Sequence, residues 1–394
     1  MKIGFLTSEF PHPKTGNAGG IGTSLLNLTK GLVQAGHQVT LLIYGQKEDE
    51  IFEENGIVFH RIKNIKLKGF SRFLTQKKIE KKINSLFINR QIDLVEAADW
   101  TGITSFIKPN CPVVIRLHGS DTYFCHLDQR PVKAINRFHE KRALQNADGL
   151  LSVSRYTANV TKELFVITKE FTIIPNAIDL QKFDVSAANN TIQPHTILYF
   201  GTLIRKKGLL ELPLIFNEVF QKNNQAKLLL IGRDSGDVLS GNKSTWKIMQ
   251  PLFAAEAFKN VTYAGSVPYE QMRKNIDGAA VCVFPTFAEA LPVSWIEAMA
   301  MKKPIVASDI GWAPELIDDG INGYLVHPKK HTEFADKIIK LLGNPELQHD
   351  FGIQARIKAE QNFGLQTVAA QSVAFYEKVI QQKQKKQRHD RNLP

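Results

Sequence analysis

The stretch AAVCVFPTFAEALPVSWIEAMAMKKPIVAS, residues 279–308, has the clearest alternation of strand-like and helix-like segments in the chain. It begins with a short apolar run, AAVCVFP, continues through a helix-length segment, and ends with a second short apolar run, KPIVAS. Strands buried on both faces have this continuously apolar character, and parallel neighbours need a crossover connection such as a helix. The stretch therefore predicts a strand–helix–strand unit in a parallel sheet.

The same alternation of short strands and amphipathic helices fills most of the 394-residue chain, in two series. The first series contains the candidate strands IGFLTS, QVTLLIY, DLVEA, PVVIRL, GLLSVS and FTIIPN, and the second contains HTILYFG, AKLLLIG, VTYAG, AAVCVFP and KPIVAS. Residues 184–196 lie between the series and have no periodicity, which indicates a linker. We predict two α/β domains with doubly wound parallel sheets, at 1–185 and 195–370. A C-terminal helix and basic tail at 366–394 are candidates to pack back onto the first domain.

Ligands of parallel α/β sheets bind beyond the carboxyl ends of the strands, and chemically suggestive residues follow four of the predicted strands. Gly19 and Gly20 follow the first strand and lead into a helix, where backbone N–H groups favour an anion. His118 follows PVVIRL and can hydrogen-bond a sugar hydroxyl or act as a base. A flexible turn and a structural histidine are the plainer interpretations of these two positions.

The strand HTILYF is followed by the segment GTLIRKKG, residues 201–208. Its consecutive basic residues Arg205, Lys206 and Lys207 lie in a glycine-bounded turn, and charged donors in such a turn suit a diphosphate. The segment is not a Walker loop, because it lacks the required spacing of glycine, lysine and serine or threonine. A solvated basic turn is the alternative interpretation.

Glu289 and Glu297 follow the strand AAVCVFP and are eight residues apart, with Pro292 between them. Proline favours the first turn of a helix, so Glu289 falls in the loop before the helix and Glu297 falls roughly 7 to 8 Å along its axis. The free N–H groups of the first turn lie between the two carboxylates. This arrangement fits a nucleotide sugar, with its diphosphate at the helix end, better than it fits the carboxylate pair of a glycoside hydrolase.

Lys and Arg outnumber Asp and Glu by 50 to 38, and the net charge of +12 favours an anionic partner. Residues 60–91 contain ten of these cations and one acid. Ile79, Ile83, Leu86 and Phe87 share a helical face there, which is typical either of a helix on an acidic membrane surface or of a core-packed helix with a solvated face. No nucleic-acid reader module is visible, so we predict no nucleic-acid partner.

The N-terminal sequence MKIGFLTSEF lacks the length and cleavage site of a signal peptide and is typical of a first strand. No apolar run approaches the roughly 20 residues that a spanning helix needs. Cys111, Cys125 and Cys282 have no metal-site spacing, so we expect free thiols in a reducing compartment. These features predict a cytoplasmic protein, peripheral at the inner membrane face if the basic segment binds lipid.

Together these motifs resemble the retaining glycosyltransferases of family 4, which have the GT-B fold and an E-x7-E signature. The resemblance covers nearly the whole chain, and the motifs are specific through their order and spacing. They are the Gly19-Gly20 loop, RLHGSD, ADGLLSVSRYT, IIPNAIDLQKF, GTLIRKKG, LLLIGRD, NVTYAGSVPYEQM, EALPVSWIEAMAMKKPIVAS and GWAPELIDDGINGYLV.

The resemblance implies two Rossmann-like domains that face a cleft, with the donor bound mainly by the second domain. It implies that Glu297 holds the donor ribose, that Glu289 contacts the donor sugar near its reacting end, and that Lys207 pairs with the diphosphate. It implies that His118 and the Gly19-Gly20 backbone close over the sugar and phosphate from the first domain, and it makes Glu289, His118 and Lys207 the predicted catalytic residues. The complete predicted donor-binding set is Gly19, Gly20, Arg205, Lys207, Glu289, Leu291, Val293, Ser294 and Glu297.

Two positions depart from the family pattern. Family members often have Arg directly after the glycine of the GTL strand end, where this chain has Thr202, so we predict that Arg205 supplements Lys207 at the diphosphate. Many members have Gly where this chain has Pro292, which lacks an N–H group. Val293 and Ser294 are then expected to supply the backbone donors of the helix end.

The resemblance implies transfer of a sugar from a nucleotide-sugar donor, a UDP- or GDP-sugar, to an acceptor hydroxyl with retention. It implies no metal, no cofactor besides the donor as co-substrate, and a saccharide or lipid-linked saccharide as acceptor, in the synthesis of a cell-surface polysaccharide or glycolipid. Two alternatives stay open: a nucleotide-sugar epimerase on the same fold, and a non-catalytic subunit that binds a nucleotide sugar.

Overall fold

The computed structural model describes residues 1–16, 19–183 and 192–391, and the chain divides into two compact units. Unit 1 contains Met1–Ile178 and Phe363–Pro394, and unit 2 contains Asp179–Asn362. Of the predicted linker, residues 184–191 lie outside the described residues.

Unit 1 is built around an eight-stranded sheet. Its strands are β1 (Lys2–Thr7), β2 (Gln38–Gln46), β3 (Glu50–Glu54), β4 (Ile57–Lys63), β5 (Leu94–Ala98), β6 (Val113–Leu117), β7 (Gly149–Ser152) and β8 (Thr172–Ile173). Their order across the sheet is β3-β4-β2-β1-β5-β6-β7-β8, and all neighbours are parallel except β3, an antiparallel edge strand. Because β1 has β2 on one side and β5 on the other, the winding direction reverses at β1.

Helices cover the faces of this sheet. They are α1 (Gly20–Gln34), α2 (Ser71–Ile88), α3 (Asp121–Leu127), α4 (Ala134–Asn146) and α5 (Arg155–Phe165), with a short 3₁₀ turn at Trp100–Gly102. In α2, Ile79, Ile83 and Leu86 are at most 3% exposed and pack into an apolar core with residues of β1, β2 and β5. The apolar face of the basic segment at 60–91 is therefore a core face, and its lysines form the solvated side.

Unit 2 is built around a six-stranded, fully parallel sheet. Its strands are β9 (Thr196–Phe200), β10 (Lys227–Ile231), β11 (Val261–Tyr263), β12 (Val281–Phe284), β13 (Ile305–Ala307) and β14 (Gly323–Leu325). The order is β11-β10-β9-β12-β13-β14, so the winding direction reverses at β9. In open parallel sheets this reversal leaves a crevice at the carboxyl ends of the two strands concerned, here β9 and β12.

Eight helices of unit 2 and two 3₁₀ turns, Arg205–Lys207 and Gln250–Leu252, connect or follow these strands in the part of the chain that the structure describes. The helices are α6 (Leu212–Lys222), α7 (Thr245–Met249), α8 (Ala255–Phe258), α9 (Tyr269–Gly278), α10 (Val293–Ala300), α11 (Ala313–Leu316), α12 (His331–Leu342) and α13 (Pro345–Phe363). The largest fully buried side chains of the unit include those of Trp295, Trp312, Tyr199, Phe216, Phe284 and Phe334.

The last helix, α14 (Leu365–Arg391), belongs to unit 1 and contributes Leu365, Val368, Ala369, Tyr376 and Val379 to its core. A buried polar network also ties α14 to the sheet. Arg116 Nε on β6 lies 2.8 Å from Glu96 Oε1 on β5, and the Tyr376 hydroxyl donates to Glu96 Oε2 at 2.6 Å. Because a buried charge without its partner is costly, this network favours one position of the helix on the sheet.

The predicted fold class is confirmed. All eleven predicted strands are present, and two doubly wound α/β units with mainly parallel sheets account for the described chain. The sequence did not predict β3, β4 and β14. The cysteines Cys111, Cys125 and Cys282 are buried free thiols. Across the described ranges, we find no helix with the length and apolar character needed to cross a bilayer.

Candidate active site

Two loops of unit 2 meet where the winding of its sheet reverses. One loop follows β9 and contains the 3₁₀ turn Arg205–Lys207, and the other follows β12 and leads into α10. The backbone N–H groups of Phe287 and Ala288 donate to the carbonyl of Lys206, at 2.8 and 3.2 Å. These bonds place the next residue, Glu289, beside the basic turn.

Gly208 allows this close approach of the two loops. Its φ is +74°, in the left-handed region that favours glycine, and a Cβ atom at this position would lie 1.6 Å from the carbonyl oxygen of Pro285. A side chain at residue 208 would therefore collide with the backbone of the loop after β12. The second glycine of the GTLIRKKG segment is thus required by the geometry of the site.

Lys207 and Glu289 form an ion pair, with Lys207 Nζ 3.0 Å from Glu289 Oε1, and both side chains are largely buried. Burial by itself would raise the pKa of Glu289, but the charges of Lys207 and Lys206, together with hydrogen bonds from Lys207 and the backbone of Ala290, outweigh burial and hold the pKa below its ordinary value. Glu289 is therefore a carboxylate at neutral pH. The structure brings together the two side chains that the sequence predicts for the diphosphate and the donor sugar.

Helix α10 begins at Val293 and Pro292 is its N-cap residue, so the proline lies directly before the first helical turn rather than within it. Val293 and Ser294 are the first two helical residues, so their N–H groups are among those that lack an intrahelical acceptor. Leu291 is buried in the loop before the helix, and Glu297 is 7% exposed in the second turn. The carboxylates of Glu289 and Glu297 thus belong to one loop–helix segment that starts at the carboxyl end of β12.

Arg205 is held by a carboxylate that the sequence analysis did not single out. Its Nε lies 2.8 Å from Asp237 Oδ1 and its Nη2 lies 2.6 Å from Asp237 Oδ2. The hydrogen bonds from Arg205 lower the pKa of Asp237 far below its ordinary value, against the opposing effect of burial. One edge of the guanidinium is therefore occupied by Asp237, and a role of Arg205 at a diphosphate stays a prediction. The one feature of the sequence that could have pointed to Asp237 is its position shortly after the predicted strand β10, where ligand-binding residues of parallel sheets occur.

His118 follows β6 in unit 1, and its backbone N–H donates to Asp99 Oδ1 at 2.9 Å. Burial, with a smaller effect of Arg116, lowers the pKa of His118 to about 3, so the imidazole is neutral at neutral pH. A neutral ring can donate and accept hydrogen bonds from sugar hydroxyls and is a weak base. Asp99 directly follows β5 and was not predicted; burial raises its pKa to about 7.

Gly19 is the N-cap residue of α1, and Gly20 is its first residue. The carboxylate of Glu9 accepts a hydrogen bond from the N–H of Gly22 at 2.9 Å, so a side chain of this chain itself binds at that helix end. A Cβ atom at Gly20 would meet no atom within 4 Å. The role of the Gly19-Gly20 backbone at a ligand phosphate therefore stays a prediction, and Glu9 joins Asp99 and Asp237 as residues that sequence reasoning missed.

The predicted residues form two groups, one in each unit. Lys207, Glu289 and the start of α10 lie together in unit 2, whereas His118 and Gly19-Gly20 lie in unit 1. Within the residues that the structure describes, no group of three or more His, Cys, Asp or Glu side chains is placed to hold a metal ion.

Two family models match consecutive parts of the chain. The model for Glycosyltransferase Family 4 matches residues 18–182, and the model for Glycosyl transferases group 1 matches residues 182–358. An uncharacterised glycosyltransferase of Methanocaldococcus jannaschii is 24% identical over 398 residues, which covers 95% of this chain and 98% of that protein. The capsular polysaccharide biosynthesis glycosyltransferase CapM of Staphylococcus aureus is 25% identical over 262 residues, which covers 63% of this chain and 66% of CapM.

Solved structures share the fold over nearly the whole chain. The sucrose-phosphate synthase of Thermosynechococcus elongatus has a TM-score of 0.77 at 20% identity and covers 96% of this chain and 99% of its own. The Anabaena protein HepE in complex with UDP-glucose has a TM-score of 0.73 at 20% identity and covers 96% of this chain and 100% of its own. With both family models matched in series on two doubly wound units, the chain belongs to the family 4 type of glycosyltransferases with the GT-B fold.

Proposed function

We propose that this glycosyltransferase transfers a sugar from a nucleotide-sugar donor to a hydroxyl group of a saccharide acceptor, with retention and without a metal ion. The main support is the ion pair between Lys207 and Glu289, at the carboxyl ends of β9 and β12 and directly before α10. It joins a cation for the phosphates to a carboxylate for the sugar at the position where parallel α/β sheets bind ligands.

In this proposal the donor lies along the loop–helix segment from Glu289 to Glu297. The diphosphate binds Lys207 and the first N–H groups of α10, where the helix dipole favours an anion. Glu297 accepts hydrogen bonds from the ribose, and Glu289 accepts one from the sugar. UDP is our first choice of nucleotide, because the structural neighbour HepE was crystallised with UDP and with UDP-glucose.

Cleavage of the bond between sugar and diphosphate develops negative charge on the leaving group. Lys207 and the start of α10 stabilise that charge, and one preorganised donor of this kind is worth about 3 to 4 kcal/mol. The acceptor hydroxyl attacks from the face that the diphosphate leaves, and its proton passes to the departing phosphate. The neutral ring of His118 fits a role in hydrogen-bonding the sugar better than a role as a strong base.

In this proposal unit 1 binds the acceptor. We propose that the acceptor is a saccharide or lipid-linked saccharide used in cell-surface polysaccharide or glycolipid synthesis. The relatives support this class of acceptor. CapM is named for capsular polysaccharide biosynthesis, and another relative, TuaC of Bacillus subtilis, is named as a putative glycosyltransferase of teichuronic acid biosynthesis.

A thermal-shift screen with UDP, GDP, ADP and CDP and their sugars tests the donor assignment. We expect UDP and a UDP-sugar to raise the melting temperature, because a ligand at about 100 times its Kd adds about 2.7 kcal/mol of stability. No shift with any nucleotide would contradict the proposal.

The nucleotide sugar that raises the melting temperature most is then incubated with the protein, with and without saccharide acceptors. We expect release of the nucleoside diphosphate and an acceptor-dependent product of retained configuration. Conversion of the donor to an isomeric nucleotide sugar without acceptor would indicate an epimerase. Binding with neither hydrolysis nor transfer would indicate a non-catalytic subunit.

A further inference from the structure

Unit 1 exposes a group of large apolar side chains at residues 67–73 and 135–138. We call this group the apolar patch; its exposed members are 43% to 62% accessible and are Leu67, Phe70, Phe73, Ile135 and Phe138. Leu67 and Phe70 lie in the connection between β4 and α2, Phe73 lies in the first turn of α2, and Ile135 and Phe138 lie one turn apart on α4. Exposed apolar side chains that are contiguous mark an interaction surface more often than isolated ones do.

Ring contacts join the two segments into one surface. The ring of Phe106 lies between them, with its centroid 5.9 Å from that of Phe73 and 6.3 Å from that of Phe138. Two cations flank this row of rings: Arg142 lies 4.5 Å above the ring of Phe106, and Lys77 lies 5.9 Å from the ring of Phe73. The rings thus link α2 to α4 through Phe106, with the Arg142 guanidinium beside them, whereas Lys77 is paired with Glu80, whose Oε2 lies 2.9 Å from Lys77 Nζ.

Within the two segments of the patch, the charges that face solvent are cations. Residues 64–73 contain three cations and no acid, and residues 133–142 contain four cations and one acid, Glu140. Glu140 is 1% exposed and accepts hydrogen bonds from the backbone of Asp121 and Thr122, so its charge does not face solvent. Five of these cations are exposed: Lys66, Lys68, Lys133, Arg137 and Lys141. Arg72 and Arg142 are half-buried and donate to the carbonyls of Thr101 and Ser105.

Exposed aromatic and aliphatic side chains surrounded by lysine and arginine match the chemistry of an anionic lipid surface. Apolar side chains enter the boundary between headgroups and acyl chains, and the cations contact anionic headgroups. The face that the helical periodicity of residues 60–91 suggested for this role, around Ile79 and Ile83, is buried in the core of unit 1. The available surface is instead the connection before α2 together with α4.

We propose that the apolar patch docks unit 1 onto an anionic lipid bilayer, with Phe70 and Phe138 inserted and the five exposed cations at the headgroups. Leu67 and Phe70 follow the carboxyl end of β4, and His118 follows the carboxyl end of β6. Because β4 and β6 run in the same direction, these two strand ends lie on the same side of the sheet. A lipid-linked acceptor would then be presented at the carboxyl-end side of the sheet, where His118 lies. This last point rests on the proposed function, whereas the docking itself does not.

Co-sedimentation of the full chain with two kinds of vesicle tests the proposal. One kind is phosphatidylcholine alone, and the other is phosphatidylcholine with phosphatidylglycerol. We expect at least about tenfold tighter binding to the anionic vesicles, decreasing as salt is added. Equal binding to both kinds of vesicle, or binding to neither, would overturn the proposal.

Paired variants distinguish the patch from general hydrophobicity and charge. We expect the double variant Phe70→Ser and Phe138→Ser to weaken binding to anionic vesicles about tenfold or more. The matched control is Val238→Ser with Leu239→Ser, which removes two exposed apolar side chains of unit 2 and should change binding less than about twofold. An equal loss in both pairs would overturn the assignment to the patch.

A second pair of variants tests the charge. We expect the double variant Lys68→Gln and Lys141→Gln to weaken binding to anionic vesicles several-fold. The control Lys243→Gln with Lys378→Gln changes the net charge equally and should have a much smaller effect. Equal effects of the two double variants would contradict the assignment of membrane binding to the patch. Nucleotide binding by thermal shift is measured in every variant. If nucleotide binds and vesicles do not, the docking proposal alone fails; if vesicles bind and no nucleotide does, the proposed donor site alone fails.

Discussion

Replacement of Lys207 by alanine is expected to lower the rate of sugar transfer by about 10² to 10³ while the fold is retained. In the proposed mechanism Lys207 stabilises the negative charge that develops on the departing diphosphate. The charge of Lys207 also lowers the pKa of Glu289, so the pKa of that carboxyl should rise in the variant and shift the acidic limb of the pH–rate profile to higher pH. Steady-state kinetics across pH, with saturating donor and acceptor, measure both effects.

Lys222→Ala is a matched control for this variant. Lys222 lies on α6 of the same unit and forms an exposed ion pair with Asp336. Exposed pairs contribute about 0 to 1 kcal/mol, so this change should leave transfer within about twofold of the wild-type rate. A Lys207→Ala enzyme with near-normal turnover would remove Lys207 from the diphosphate site.

Replacement of Glu297 by alanine is expected to weaken donor binding by roughly 10- to 100-fold, because hydrogen bonds to a charged group contribute about 1.5 to 3 kcal/mol. In our proposal its carboxylate accepts hydrogen bonds from the ribose hydroxyls. The smaller change Glu297→Gln keeps an acceptor oxygen and should weaken binding less. Calorimetric titration with the nucleoside diphosphate alone measures this effect, since the ribose is present without the sugar.

Glu297 is 7% exposed, so loss of affinity must be separated from loss of folding. Melting temperatures without ligand report the fold, and the isosteric Gln variant should retain that of the wild type. The control Glu333→Ala removes an exposed carboxylate from α12 and should leave the Kd unchanged. An unchanged Kd in Glu297→Ala would show that the ribose assignment is wrong.

Most of the strands that the sequence predicted are buried on both faces, which gives a continuously apolar run; β8 and β11 are only partly buried. β3 and β4 were not predicted, and their sequences show the physical reason. β3, EIFEE, is an edge strand with exposed glutamates, and β4, IVFHRIK, interrupts its apolar residues with His60 and Arg61. β14 has only three residues. Tertiary pairing, rather than local pattern, decides these strands.

The periodicity of α2 was clear in the sequence, but periodicity does not say what covers an apolar face. A core and a membrane are both apolar, so Ile79 and Ile83 are compatible with either. The structure places them in the core, and the exposed Phe70 and Phe138 come from segments with no amphipathic period. Such a patch becomes visible only when segments distant in the sequence are brought together.

The candidate site was partly predictable because ligands of parallel sheets bind at strand ends. That rule located Lys207, Glu289 and His118, and the ion pair of the first two is what their common position predicts. The partners Asp99 and Asp237 were missed because their significance depends on tertiary contacts, with the backbone of His118 and with the guanidinium of Arg205.

The most direct measurement is a crystal structure of the protein with its nucleoside diphosphate bound. We predict diphosphate oxygens within about 3 Å of Lys207 Nζ and of the N–H groups of Val293 and Ser294, with the ribose hydroxyls at Glu297. A nucleotide bound elsewhere, with Lys207 still paired to Glu289 and no phosphate in contact with Lys207 or with the start of α10, would contradict the proposed donor site.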